Sequence, residues 1–201
     1  MSSEELRLAF RPARLRLLFV GESPPASGRF FYRRDSGLYR AMRDAFRVVD
    51  PSLNEETFLP VFQKSGCYLV DLCPEPVDHL DLKSRRAACR ANEESLAKAI
   101  AQLHPPMIAT LLRSIEGNVR RAASLAGGNQ SFLHLPYPGR WLRHRTAFIE
   151  SLVPVIRESP FFTSGSRPTR NPANGSCGCV SAPAPPSPAS SAPVLNRKRD
   201  A

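Results

Sequence analysis

The residue types best suited to chemistry are concentrated in "GESPPASGRFFY", residues 21–32, which follows the first apolar run of the chain. Glu22 and Ser23 place a carboxylate and a hydroxyl before two prolines, and Phe30 and Phe31 come at the end of the segment. A carboxylate can read or activate a polar ligand, and aromatic side chains can stack on a flat ring. The ordinary alternatives are a backbone cap for Glu22 and a place in the core for the two phenylalanines.

Two further segments carry side chains of the same kind, "DLCPEPVDHLD" at residues 71–81 and "PYPGRWLRHR" at residues 136–145. The first begins with Asp71. The second combines aromatic rings with cations, namely Tyr137, Arg140, Trp141, Arg143, His144 and Arg145. Arginine suits bidentate contacts to phosphate, although an exposed helix start with incidental arginines and packed rings would have the same composition. Aromatic rings, carboxylates and a basic segment together are what an enzyme acting on an extruded nucleobase requires.

The elements that must position these segments alternate along the chain. Short apolar runs bounded by breakers predict strands at residues 15–20, 67–72, 107–112 and 131–135. Helical periodicity fills the intervals, as where Leu38, Met42, Ala45 and Phe46 share one face. Strands alternating with helices predict an α/β fold, a three-layer α/β/α sandwich around a central four-stranded, mainly parallel sheet.

Local signals support these boundaries. Ser36 and Asn54 are good N-caps, Gly66 and Gly127 are good helix ends, and Pro105 closes the third predicted helical stretch, residues 84–103. Ligands of such sheets bind beyond the carboxyl ends of the strands. We therefore expect the three chemically rich segments to border one cleft.

Composition divides the chain into two parts. Residues 160–201 are dominated by Pro, Ser and Ala, which cannot bury a core, so we predict a folded domain over residues 1–159 and a disordered tail. Of the net charge of +10, +6 belongs to residues 1–159. That excess is compatible with a nucleic-acid partner and equally with plain solubility.

The chain lacks the features of an exported or membrane-bound protein. No run of 18 apolar residues occurs, and the first residues lack the pattern of a secretory signal, so we predict a cytoplasmic protein with no membrane partner. The five cysteines form no regular framework, so structural disulfides are not expected, and Cys177 and Cys179 are interpreted as incidental thiols of the tail.

The order and spacing of these motifs resemble the uracil-DNA glycosylase superfamily over residues 15–155. "GESPPASGRFFYRRDSGLYRAM" is similar to the "GEAPG" and "GRPF" elements of its thermophile-type iron–sulfur branch, and "VDLCPEP" and "LHPPMIATLL" follow in the same order. The resemblance implies removal of a deaminated or damaged base from duplex or single-stranded DNA by hydrolysis of the N-glycosidic bond after base flipping. It makes Phe30 or Phe31 the residue that stacks on the flipped base. We expect a monomer.

Several positions depart from the family pattern. Cys73 and Cys89 keep the spacing of two cluster ligands, but residues 1–20 contain no cysteine. A [4Fe–4S] cluster normally takes four thiolates, so we predict no cluster, no other metal and no cofactor. Asp71 stands where single-strand-selective members read the base with an asparagine, and its ordinary alternative is a cap or a salt bridge to an arginine. An ionised carboxylate can only accept hydrogen bonds, so this departure puts uracil specificity in doubt.

The catalytic positions depart as well. Leu135 occupies the place of the histidine that stabilises the leaving base, and His134 is predicted to point to the opposite face of its strand, so His144 or Arg140 is the expected donor. Ser23 replaces a better water-holding residue, which makes Glu22 the candidate for orienting water or stabilising the sugar cation.

The segment at residues 136–145 is expected to contact the DNA, and two alternative functions are also compatible with the sequence. Tyr137 or Trp141 is expected to fill the gap in the duplex, while Arg140, Arg143 and Arg145 hold phosphates. The first alternative function is a nucleic-acid-binding homologue that has lost catalysis. The second is an N-glycosidase acting on a free nucleotide.

Overall fold

A computed structural model describes residues 2–139 and 141–158. Its centre is one sheet in the order β2-β1-β3-β4, and every pair of neighbouring strands is parallel. The fold class is confirmed as a three-layer α/β sandwich, and the sheet is wholly parallel within the described residues. The strands are β1 (Leu17–Gly21), β2 (Cys67–Asp71), β3 (Met107–Thr110) and β4 (Ser131–His134).

Helices connect the strands and cover both faces of the sheet. They are α1 (Ser3–Ala9), α2 (Gly37–Val49), α3 (Phe58–Lys64), α4 (Leu82–Ala91), α5 (Glu93–Leu103), α6 (Glu116–Leu125) and α7 (Leu142–Arg157). Among them, α2 packs against α7 and α5 packs against α6. The sheet between them forms the centre of the core, where Leu18, Phe19, Val20, Ile108 and Ala109 are fully buried.

The helix boundaries follow the predicted caps in part. The Ser36 hydroxyl accepts from the Tyr39 N–H at 3.1 Å and caps α2 as predicted. Asn54 does not cap α3 directly, because its side chain accepts from Glu56 and Thr57 in a turn that precedes the first helical residue, Phe58. Competition between such local turns and the helix is typical of asparagine.

Two helical features differ from the sequence prediction. The predicted third helix, residues 84–103, is two helices, α4 and α5, which are separated at Asn92. The side-chain amide nitrogen of Asn92 donates to the Ala88 carbonyl at 2.9 Å. The other difference is α1, which begins with a capping box formed by Ser2 and Glu5. This helix was not predicted, because its 7 residues are too few to show a clear helical periodicity.

Three sequence predictions extend beyond these elements. Residues 159–201, including the predicted tail, lie outside the described residues, so the division at residue 159 stays a prediction. Within the described part of the chain, no helix is both long enough and apolar enough to cross a membrane. The order of the strands changes direction at β1, which lies between β2 and β3, and this is where sheets of this kind bind ligands.

Candidate functional site

A cavity of about 350 Å³ opens at the carboxyl ends of β1 and β2. We call it the strand-end cavity, and it is bordered by the segments that follow β1, β2 and β4. The structure brings together in its lining six of the residues singled out from the sequence: Glu22, Ser23, Phe30, Phe31, Asp71 and Tyr137.

The segment after β1 is held in place by the segment after β2. The Ser23 hydroxyl accepts from the Val77 N–H at 3.2 Å, and the Ala26 N–H donates to the Asp78 carboxylate at 3.1 Å. Two residues after Ala26, Gly28 turns the chain with a φ of +73°, a conformation that glycine adopts without strain. These long-range bonds fix one wall of the cavity.

The aromatic residues of this segment divide between the core and the cavity. The Tyr32 hydroxyl accepts from the Leu69 N–H at 2.8 Å and lies 3.1 Å from the Leu69 carbonyl oxygen, which anchors the segment to β2. Phe31 is only 3% exposed, and its ring packs edge-on against Tyr32 and Tyr39. Phe31 therefore also serves the core, as its ordinary alternative role predicted, while Phe30 borders the cavity at 8% exposure.

Glu22 is a buried carboxylate with a dedicated partner. Arg85, from the first half of α4, donates from Nε to Glu22 Oε1 at 2.7 Å and from Nη2 to Glu22 Oε2, a bidentate ion pair. The Cys89 thiol lies 3.8 Å from the same Oε1. Sequence reasoning missed Arg85, although a carboxylate at the end of a buried strand favours a cation nearby, and an arginine-rich helix follows β2.

Asp71 is the last residue of β2 and lies beside Gly21 of β1 in the sheet register. A Cβ on residue 21 would lie 2.5 Å from Asp71 Oδ1, so only glycine admits the carboxyl group here. No described residue donates a hydrogen bond to this carboxyl group. Burial raises the pKa of Asp71 to about 7, and Arg7 opposes that effect. Near neutral pH the group is therefore partly a neutral acid, which can donate as well as accept.

Asp71 also borders a second cavity, of about 440 Å³, on the side of α1. Pro24, Phe30 and Asp71 line both cavities, so these three residues form the wall between them. Arg7 of α1 and Tyr68 of β2 line the second cavity, which places the Arg7 charge on the far side of Asp71.

The segment after β4 contributes an aromatic rim. Tyr137 lines the strand-end cavity although it is 46% exposed, and burial of the phenol together with the nearby Asp71 raises the pKa of Tyr137. Trp141 and Leu142 are 64% and 78% exposed and are not part of the lining. Leu142 was not singled out from the sequence. The one feature that could have indicated it is its apolar side chain next to Trp141 at the start of a helix.

The described basic residues of the same segment are not part of the cavity lining. Arg145 forms an ion pair with Asp44 of α2, so it links two helices. His144 is half-buried, and Arg143 is exposed. Arg140 lies outside the described residues. The expected donor from His144 is thus not brought to the cavity, where Arg29 and Arg85 are the cations in the lining.

The two histidine-motif positions lie as the strand alternation predicts. Leu135 is fully buried. His134 places Nδ1 3.3 Å from the Thr110 hydroxyl on β3, away from the cavity. No histidine is found among the described residues that line the strand-end cavity.

Cys73 and Cys89 form a pair of buried thiols whose Sγ atoms are 3.9 Å apart. Burial raises the pKa of Cys73 to about 12 and also raises that of Cys89, so both favour the protonated state. The described residues offer only these two thiols here, whereas a [4Fe–4S] cluster takes four thiolates. They also contain no group of three or more His, Cys, Asp or Glu side chains that could hold a metal ion. The residues do not fit the cluster of the family branch.

Comparison with models of protein families and with curated proteins finds no match for this chain. The resemblance seen in the motifs therefore enters below as support for a proposal.

Proposed function

We propose that this chain is a uracil-DNA glycosylase-like enzyme, which flips a deaminated or damaged base out of DNA and hydrolyses its N-glycosidic bond. The observation that carries the proposal is the strand-end cavity, where the carboxyl groups of Glu22 and Asp71, at the ends of β1 and β2, share the lining with aromatic residues of the segments after β1 and β4. A cavity of about 350 Å³ is in the range of small-ligand sites, and an extruded base needs one flat, partly polar site of this kind.

Asp71 is assigned to reading the base. A neutral carboxyl group donates through its O–H and accepts through its other oxygen, so it can match a carbonyl next to a ring N–H, as an amide does. The raised pKa of Asp71 supplies that neutral form. Phe30 and Tyr137, which line the cavity, are the candidates for stacking on the base.

The leaving base departs as an anion, and a positive charge develops on the sugar. Arg85 and Arg29 lie in the lining and can stabilise the anion. Glu22 is held by two hydrogen bonds to Arg85, so its carboxylate is fixed in orientation and suits stabilisation of the sugar cation better than activation of water.

The exposed residues at the start of α7 are assigned to contacts with the DNA. Trp141 and Leu142 are large apolar side chains that can enter the base stack when the target nucleotide leaves it. Arg143 follows them on the same helix and is available for a phosphate.

A specific observation favours a second function, a DNA-binding protein without catalysis. Both oxygens of Glu22 are occupied by Arg85, and the Ser23 hydroxyl accepts from the Val77 N–H. Two of the three candidate catalytic groups are thus already hydrogen-bonded within the protein.

Excision is tested with oligonucleotides that carry a single uracil, hypoxanthine or xanthine, followed by alkaline strand scission. The wild-type chain should form abasic sites on at least one lesion. Glu22→Gln should lower the rate by about a hundredfold, since it removes charge stabilisation from the transition state, while DNA binding is retained. Glu94→Gln, at an exposed carboxylate of α5, is the matched control and should cut at the wild-type rate. Lesion binding without any abasic product would favour the second function.

A further inference from the structure

The two sides of α4 carry different chemistry. Arg85 and Cys89 face inward toward Glu22. The other side presents a surface groove of about 480 Å³, lined by Lys83, Arg86, Ala87, Arg90 and Ala91. All five residues are exposed, and they follow one another at helical spacing on one face. We call this surface the cationic groove.

The charges of the cationic groove are balanced only in part, because the pKa of Glu93 is lowered first by Arg121 and more weakly by Arg90. None of its three cations forms a hydrogen bond or ion pair through its side chain with a described residue. Two acidic residues that flank α4, Asp81 and Glu93, are engaged elsewhere. The Asp81 carboxylate accepts from the Lys83 and Ser84 N–H groups and caps the helix. Glu93 is bound by Arg121 at 2.6 Å. The groove therefore presents a net positive face to solvent.

The spacing of the cations suits a phosphate backbone. From Lys83 to Arg90 the helix rises about 10 Å, at roughly 1.5 Å per residue. Phosphates of one DNA strand follow each other about every 3.4 Å along the duplex axis, so three cations match about three phosphates. Ala87 and Ala91 leave the groove floor shallow, which allows a backbone to approach the helix closely.

The position of α4 completes the argument. The helix follows β2 at one edge of the sheet, whereas the rim with Trp141 follows β4 at the other edge. These edges are three strand spacings apart, about 14 Å, and the strand-end cavity lies between them. We propose that the cationic groove binds phosphates of the DNA strand that flanks the extruded nucleotide. This inference rests on the proposed function for the position of that nucleotide.

The test is the salt dependence of binding to a uracil-containing duplex, measured by fluorescence anisotropy. A variant with Lys83→Gln, Arg86→Gln and Arg90→Gln should bind about tenfold more weakly at low salt. It should also lower the slope of log K against log salt by about two to three, since each lost phosphate contact accounts for roughly 0.9. The matched control carries Arg14→Gln, Arg47→Gln and Lys64→Gln, three exposed cations at the opposite end of the strands, and should keep the wild-type slope.

Two further measurements separate the possible failures. Arg86→Lys with Arg90→Lys keeps the charge and should keep the slope, and thermal unfolding should give equal midpoints for all variants. A groove variant with the slope of the control would overturn this inference, even where the wild type excises uracil. A lowered slope for the groove variant without excision of any lesion would retain the groove and overturn the proposed glycosylase activity.

Discussion

At the scale of single residues, the site depends on polar groups placed where water is scarce. Glu22 lies in the interior with Arg85 bound to both of its oxygens. Asp71 has no such partner among the described residues, and burial raises its pKa to about 7. Two carboxyl groups that line one cavity thus differ in their surroundings, because only Glu22 is ion-paired with an arginine.

Asp71 makes stability depend on pH in a definite direction. The folded protein retains the Asp71 proton up to about pH 7, whereas an unfolded chain releases it near 3.8. The group therefore costs no stability below about pH 4, and its cost grows as the pH rises to about 7. Between pH 4 and pH 8, the free energy of unfolding of Asp71→Asn should rise by about 1–2 kcal/mol relative to that of the wild type. This is less than the full pKa shift would give, because the Asp71 side chain is half-buried and borders two cavities.

The measurement is urea unfolding of both chains at the two pH values, with Glu56→Gln at an exposed carboxylate as the control for loss of a charge. Equal differences between wild type and Asp71→Asn at both pH values would contradict the prediction. A pH-dependent preference for uracil in the wild type, absent from Asp71→Asn, would further support Asp71 as the base reader.

At the scale of elements, α7 does different work at its two ends. Its later turns are buried through Phe148, Leu152 and Ile156. Its first residue follows Trp141, which is the N-cap position but provides no side-chain cap. The ion pair between Arg145 and Asp44 of α2 holds the helix just after this exposed start. The packed end of α7 thus supports the exposed Trp141 and Leu142 at its other end.

Replacing Trp141 and Leu142 tests their role on duplex DNA. Trp141→Ala combined with Leu142→Ala should lower excision from duplexes by on the order of tenfold, because unstacking a base step costs a few kcal/mol that an inserted side chain helps to recover. Single-stranded substrates, where the stack is already open, should be cut at nearly the wild-type rate. Leu125→Ala, at another apolar residue that is 66% exposed, serves as the control and should change neither rate. Equal losses on both substrates would contradict the assignment.

At the scale of the whole molecule, the described residues form one compact unit around the sheet. Their buried apolar side chains lie between Leu17 and Ile156, and α7 closes one face against α2. Stability should accordingly reside in residues 1–159.

A shortened chain tests that expectation. Residues 1–159 alone should unfold cooperatively with the midpoint of the full chain, because the described core is retained. A chain of residues 1–139, which lacks α7 and its buried Phe148, Leu152 and Ile156, should lose cooperative unfolding. Thermal unfolding by circular dichroism distinguishes the two. A lower midpoint for residues 1–159 would assign stability to the later part of the chain.

The strands and their order of appearance could be predicted because apolar runs and breakers are local signals. Residues 15–20 were predicted where β1 covers Leu17–Gly21, and Ser36 caps α2 as expected. The division of the third helical stretch at Asn92 was not predicted, since one side chain bonded to Ala88 decides it.

The alternation of elements and the three segments rich in chemical groups follow from the order of residues alone, because periodicity and turn residues act over a few positions. Which groups meet depends on the folded chain. Glu22 and Arg85 are 63 residues apart, and Asp44 and Arg145 are 101 apart. Whether a buried carboxylate is paired, like Glu22, or left to hold its proton, like Asp71, depends on these long-range contacts and on burial, which no local pattern encodes.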